Sequence, residues 1–382
     1  MLPVQIIGAG VAGLALARAL RLRGVHAQVH ERAPHLRAEG GVLTLWSNGV
    51  GALGALGIDP LRDRRAIHLE RATLWSSRGE RLADIPVGDL GRRLGSPSVV
   101  VRRSELLALL AEGLPPEDLT LGVTVDALRH TDLGAEVRFT AGSVASGRAV
   151  VGADGLHSVV RSCLVGEEPP RAANQDCWLG VVQGDPGDGP PEGTTFGVVG
   201  QGRRFWLANA GRGELHWYAI VGGERRSAAR DQGSLAEAFH RWPHGAEALI
   251  LATPAESLRV VALHDRAPLH RWSEGCVTLA GDAAHACTPD LGQGACQSLE
   301  SALVLAEALA EERSVPEALR RYELQRRTRA HLVQSLSRMV SDGSMPEDPV
   351  RCALRDLSCR LTPAARWVAA LEPLLAPSGA PG

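Results

Sequence analysis

Gly8, Gly10 and Gly13 stand at the spacing G-x-G-x-x-G, directly after the apolar run Pro3-Val4-Gln5-Ile6-Ile7. Each glycine has its own use. Gly8 permits a tight turn, Gly10 lets backbone approach a pyrophosphate, and Gly13 lets a helix pack closely on a strand. The helix that starts at Val11 and Ala12 offers unpaired N–H groups and a positive dipole end to phosphates. Glu31, with Arg32 beside it, follows a second short strand at Ala27–His30. It lies about 20 residues past the glycines, where an acid accepts ribose hydroxyls. Strand, glycines, helix, strand and acid in this order predict a bound dinucleotide.

Two further stretches carry chemistry. In Val150–Arg161 an apolar strand runs into Gly152-Ala153-Asp154-Gly155 and then a helix. In Cys276–Gln297 a buried strand ends at Gly281-Asp282-Ala283-Ala284-His285. A loop with Pro289, Gly292 and Gly294 then leads into a long helix from Ala295 to Glu311. No His, Cys or acid has a partner at metal spacing, so Asp282 and His285 are not read as metal ligands.

The elements that position these groups follow from the pattern. The opening βαβ unit predicts a doubly wound α/β lobe. Glu39-Gly40-Gly41-Val42 joins a glycine pair to an alternating run ending at Trp46. That loop either brings backbone close to something flat or is an ordinary turn. Residues 65–100 alternate apolar and polar, and about 173–262 is rich in strands with Gly-rich turns. Five of the eight tryptophans fall in these blocks, so they are read as one discontinuous β lobe. The expected division is 1–70, 97–172 and 263–340 for the nucleotide lobe, 71–96 and 173–262 for the β lobe, and 341–382 for a helical C-terminal segment.

Composition narrows the function. A net charge of −2 gives no electrostatic case for nucleic acid or an anionic membrane. No apolar run reaches the roughly 20 residues of a membrane span, and no signal peptide precedes the first strand. The seven cysteines show no C-x-x-C spacing, which predicts reduced thiols and a cytoplasmic setting. The chain contains no lysine, so a Schiff-base mechanism is excluded.

Together the three stretches resemble the single-component FAD-dependent aromatic hydroxylases of the p-hydroxybenzoate hydroxylase type. Gly40-Gly41, Leu45-Trp46-Ser47-Asn48-Gly49 and Thr288–Gly294 resemble the urate hydroxylase branch most. Most of the family carries Asn where this chain has Asp290. The resemblance implies a Rossmann-type, glutathione-reductase-like FAD-binding domain with an inserted β-sheet substrate domain and C-terminal helices. It implies that Gly8, Gly10, Val11, Ala12 and Gly13 hold the pyrophosphate of non-covalent FAD, and Glu31 the adenosine ribose. By the same resemblance Arg103 reaches the flavin side, Asp282 bonds the ribityl chain or phosphate-side hydroxyls, and Arg32, Gly41 and Val42 are further cofactor-binding residues. Asp154 lies where FAD and the nicotinamide donor meet. Gly292, Gly294 and Ala295 place a helix start at the pyrimidine edge.

The implied reaction is NADPH- or NADH-driven hydroxylation of a small aromatic or heteroaromatic compound by O2 through a flavin C4a-hydroperoxide, in a monomer or homodimer. An epoxidase on the same scaffold and a flavin-binding protein without oxygenase activity are the alternatives. Pro289, Arg204 and His216 are expected at the reacting ring, with Trp46 and Tyr218 as further substrate contacts. His216 and Tyr218 share one strand face and Trp217 the other, and the His216 face is expected to cover the pocket. His216 is either a base or a structural histidine. Arg204 is a clamp for an anionic substrate or, more simply, a surface arginine. Trp46 lines the pocket or fills the core. The arginines at 320, 321, 326, 327 and 329 are expected on a solvated helix face paired with Glu317 and Glu323.

Overall fold

The computed structural model describes residues 2–36, 41–183 and 189–376. Glu39, Gly40 and the Pro/Gly/Ser-rich tail past Ala376 lie outside these residues.

Val4–Ile7 is buried at all four positions and pairs in parallel on both sides, with Ala27–Glu31 and Ala149–Gly152. An uninterrupted apolar run is what a strand needs when both of its faces are covered. Leu119–Leu121 and Val277–Leu279 extend this parallel sheet, and Ser273–Glu274 closes one edge antiparallel. The Val11–Leu22 helix packs between the sheet and the Gly294–Glu311 helix, inside the largest apolar core.

A seven-stranded sheet forms the second lobe, in the order 259–265, 171–183, 214–222, 203–209, 194–199, 71–76, 81–85. Its neighbours are antiparallel except 71–76, which runs parallel to 194–199. One face carries Phe205, Leu207, Trp217 and Ala219 against the helices Gln232–Ala238 and Ala246–Ala252. The other face carries Cys177, Arg204 and Tyr218 and is turned to the nucleotide lobe, where Arg204 meets Asp290.

Several local expectations are corrected. Val87–Leu94 is a helix, not a strand: Val87, Leu90 and Leu94 recur at helical spacing, and Gly95 ends the helix at φ 72°. Within the 65–100 block, Ala66–His68 pairs not with the seven-stranded sheet but with Val99–Arg102, which also pairs with Val42–Leu45. The sequence also suggests one short strand over 119–125; it is split at Gly122, φ 75°, and Val125–Thr131 belongs to a three-stranded meander. The block 173–262 contains two helices; the first opens with a capping box between Asp231 and Ser234.

Candidate cofactor and substrate site

A groove runs along the C-terminal ends of the parallel strands, the edge at which such sheets bind ligands. It is lined by Gly8–Gly10, Glu31, Arg32, Arg103, Leu107, Val123–Val125, Ala153–His157 and Asp282. The three glycines divide as their spacing predicts. Gly8 has φ 107°, and a Cβ there would lie 2.4 Å from the Ala153 carbonyl oxygen. A Cβ on Gly13 would lie 1.9 Å from the Gly8 carbonyl oxygen. A Cβ on Gly10 would meet nothing within 4 Å, because it would point into open groove. The helix after Gly10 has no side-chain cap and no acid in its first turn. Its N–H groups and positive dipole end are therefore available to an anion.

The Glu31 carboxylate is fixed by the N–H groups of Ala9, at 2.8 Å, and Ala33, at 2.9 Å. Unused lone pairs remain for ribose hydroxyls. Arg103 and Asp282 both line the groove, and neither side chain makes a hydrogen bond or ion pair among the described residues. Burial pushes the Asp282 carboxyl up, and the Arg103 guanidinium partly opposes that. A fixed acceptor and a fixed donor facing one groove fit a polyol and a pyrophosphate. The residues present therefore fit FAD.

Asp154 lines the same groove, but its carboxylate works for the helix behind it. It accepts from Ser158 Oγ at 2.5 Å, Val159 N–H at 2.7 Å and Val160 N–H at 3.3 Å. Asp154 thus lines the groove while its carboxylate also caps the helix behind it. Leu107 and Thr124 were missed in the sequence. Leu107 follows Arg103 by one helical turn and shares its side, a signal that spacing contains. Thr124 lies past the Gly122 turn, where the expected strand had no break.

The other end of the site is the turn Pro289–Leu291. Gly292 follows at φ 60°, and a Cβ there would lie 2.8 Å from Trp46 Nε1. Trp46 is half-buried and donates from Nε1 to the Leu291 carbonyl at 3.1 Å, so it braces the turn. Pro289 is exposed at the first position of the turn. It has no proton to transfer, so it contributes backbone shape. The Gly294–Glu311 helix starts without a side-chain cap or a first-turn acid. Behind its start, Asn48 donates to Gln293 Oε1 at 2.9 Å and to Glu300 Oε1 at 2.6 Å. Gly41 accepts the Arg103 N–H at 3.1 Å, and Val42 pairs with Arg102 in the adjacent ladder.

The β lobe brings Arg204 and Tyr218 over this turn. Arg204 is not a surface residue: its side chain is 14% exposed and ion-paired with the fully buried Asp290 carboxylate. Tyr218 stacks on Trp206 with ring centroids 6.1 Å apart, and burial pushes its hydroxyl pKa up. His216 belongs to a different network. Its Nε2 lies 3.1 Å from Glu214 Oε2, and the same oxygen accepts from Arg102 Nε at 2.6 Å. His216 is 5% exposed, and burial lowers its pKa against the pull of Glu214. The face it occupies is covered, not solvated.

The arginine run is corrected at one position. Arg326 is 1% exposed, and its Nη1 donates to Glu300 Oε2 at 2.5 Å. Arg329 Nε reaches the same oxygen at 3.0 Å. Arg321 pairs with Glu307, Glu311 and Glu312, and Arg327 with Glu323. All seven cysteines are free thiols. Among the described residues no group of three His, Cys, Asp or Glu could hold a metal, and no helix is long and apolar enough to cross a membrane.

Known proteins share this architecture. Residues 1–337 match the family model described as FAD binding domain. The aurachin C monooxygenase/isomerase of Stigmatella aurantiaca is 33% identical over 364 residues, covering 94% of each chain. An FAD-dependent urate hydroxylase of Klebsiella pneumoniae is 33% identical over 332 residues, covering 84% of this chain and 85% of its own. The crystal structure of Klebsiella pneumoniae HpxO complexed with FAD and uric acid superimposes with a TM-score of 0.88 at 29% identity, over 98% of this chain and 96% of that one. With a groove whose glycines, Asp282 and Arg103 fit FAD, the chain belongs to the FAD-binding-domain family and, within it, to the FAD-dependent aromatic hydroxylases.

Proposed function

We propose that this chain is an NAD(P)H-consuming FAD monooxygenase that hydroxylates a small heteroaromatic compound. One observation supports this reading most: the fingerprint glycines, Glu31, Arg103 and Asp282, far apart in the sequence, line one groove whose donors and acceptors suit FAD. A cofactor laid along that path has its phosphates at the first helix and its redox ring under the β lobe. The aurachin and urate relatives, named for heteroaromatic compounds, point to the same class.

The chemistry that FAD supplies when bound is acceptance of hydride from a nicotinamide and activation of O2. The chain's own residues do the rest. N–H groups at Val11, Ala12 and Gly13 would hold phosphate oxygens of bound FAD, and Glu31 and Asp282 would accept hydrogens from its hydroxyls. The helix start at Gly294 favours negative charge at the ring edge beside it. Tyr218 and Trp206 form an aromatic wall that excludes water from the reacting space. His216, held through one nitrogen by Glu214, keeps Nδ1 buried and without a hydrogen-bond partner. In the neutral ring that nitrogen is an acceptor for a substrate N–H or O–H when Nε2 carries the proton.

The test is oxygen uptake by FAD-loaded protein with NADPH or NADH, screened against quinolones, purines and aminohydroxybenzoates. The expected result is substrate-stimulated uptake and a product that has gained one oxygen atom from O2. Flavin that binds but never responds to any ring compound would favour a binding protein without oxygenase activity.

A further inference from the structure

The Pro349–Leu361 helix has its amphipathic faces inverted. A surface helix ordinarily turns its apolar stripe to the core. This one has no buried residue, and Val350, Leu354, Leu357 and Leu361 are 43 to 70% exposed. Their spacing of four, three and four makes one continuous stripe. The inner face carries Cys352, Arg355, Asp356 and Cys359 instead, all half-buried. Arg355 Nη1 donates to the carbonyls of Gly200, at 3.0 Å, and Ser344, at 3.1 Å, so polar contacts fix the helix to the β lobe and the helix before it. Asp356, the one acid of the helix, accepts from Arg355 Nε at 2.9 Å and Nη2 at 2.7 Å. At about 100° per residue, Arg351 and Arg360 fall on opposite flanks of the stripe, and both are exposed. Arg360 Nη1 lies 3.6 Å from Glu80 Oε2 with both side chains more than half exposed, an ion pair too open to hold it.

We propose that this face docks the protein on an anionic lipid bilayer, with the helix lying flat in the interface. The four aliphatic side chains enter the acyl boundary. The flanking arginines keep their guanidinium groups among the lipid phosphates while their stems cover apolar surface. The net charge of −2 does not oppose this, because the outer side of the helix carries arginines and no acid. The same pattern argues against a second copy of this chain. Two such stripes laid together bring arginines to the joint with no acid to meet them. Four large side chains on a helix of 13 residues also make a small patch, since a stable interface takes about 20 to 30 residues a side. The tail from Pro377 to Gly382 holds no large apolar side chain, so it offers no cover for the stripe. Docking through this helix sets the β lobe, to which it is bonded, at the lipid surface.

The experiment is co-sedimentation of the full-length, FAD-loaded protein with two kinds of vesicle: phosphatidylglycerol mixed equally with phosphatidylcholine, and phosphatidylcholine alone. Wild type is expected to pellet with the anionic vesicles, to bind the neutral ones at least about fivefold more weakly, and to be released as salt rises. Leu354→Ser combined with Leu361→Ser is expected to lose at least about tenfold in affinity for the anionic vesicles. Its FAD content and melting temperature are expected to hold, since neither leucine is buried. Arg351→Gln combined with Arg360→Gln is expected to lose the preference for anionic lipid. Absence of wild-type binding overturns the proposal, as does equal binding to both kinds of vesicle or binding that the serine variant keeps in full. A wild-type dimer in sedimentation velocity that the serine variant dissolves, without lipid binding, assigns the face to a second copy and overturns it too. The arginine variant and the salt series decide the matter if the serine variant fails to fold.

Discussion

At the scale of single residues, the three glycines of the first turn separate folding from ligand binding. Gly10 has φ −79°, which any residue adopts, and empty groove where its side chain would be. Gly10→Val is expected to purify colourless and to melt at the temperature of flavin-stripped wild type, since bound FAD stabilises only the folded state. Gly13→Val is expected to lose about 3 kcal/mol or more, because its Cβ would overlap the Gly8 carbonyl. Thermal unfolding and visible absorbance, measured on both variants, distinguish the two effects. Asp282→Ala leaves the turn intact and removes the free acceptor of the groove; FAD affinity is expected to fall while the stability of the flavin-free protein holds.

His285 gives a pH signature. It is 2% exposed, its Nε2 lies 3.1 Å from Ser301 Oγ, and burial aided by Arg326 pushes its pKa down to about 3. An unfolded histidine takes up its proton near pH ~6.5, whereas the folded one stays neutral until about 3. Stability attributable to His285 is therefore lost as pH falls from about 6.5, by up to about 1.4 kcal/mol per pH unit. Melting curves between pH 7 and 5 are expected to be flatter for His285→Gln than for wild type. Equal slopes would mean that His285 does not titrate as described.

At the scale of elements, the Gly294–Glu311 helix is held at its start by a buried polar network. Asn48, Gln293, Gln297, Glu300 and Arg326 satisfy one another within it. Removing one partner of a buried ion pair strands the other charge. Arg326→Ala is expected to cost about 3 to 5 kcal/mol, whereas Arg320→Ala, on the exposed side, should change stability by well under 1 kcal/mol. Urea unfolding of both variants checks the contrast. This network was hidden in the sequence because the arginines of residues 315–344 repeat at spacings that also fit a solvated face. Burial of Arg326 depends on a second helix that periodicity cannot see. The parallel strands were legible for the opposite reason: strands such as Val4–Ile7 read as unbroken apolar runs whatever their neighbours. Val87–Leu94 was misread because two glycines interrupt a short amphipathic helix.

At the scale of the whole molecule, segments roughly 50 to 125 residues apart converge on one groove. Gly8–Gly10, Arg103, Ala153–His157 and Asp282 all line it. The cofactor end was legible because phosphate and ribose recognition relies on local backbone shape and fixed spacing. The substrate end was not, because Arg204 and Asp290 lie 86 positions apart and meet only when the β lobe folds back. Sequence alone left Arg204 between a substrate clamp and a surface arginine, and gave no sign of its pairing with Asp290.

The most direct check on the central claim is to release, identify and quantify the cofactor of purified wild-type and Gly10→Val protein. The expected result is stoichiometric FAD in the wild type and none in a variant that melts at the temperature of flavin-stripped wild type. Full FAD retention by Gly10→Val, or a different nucleotide in the wild type, would contradict it.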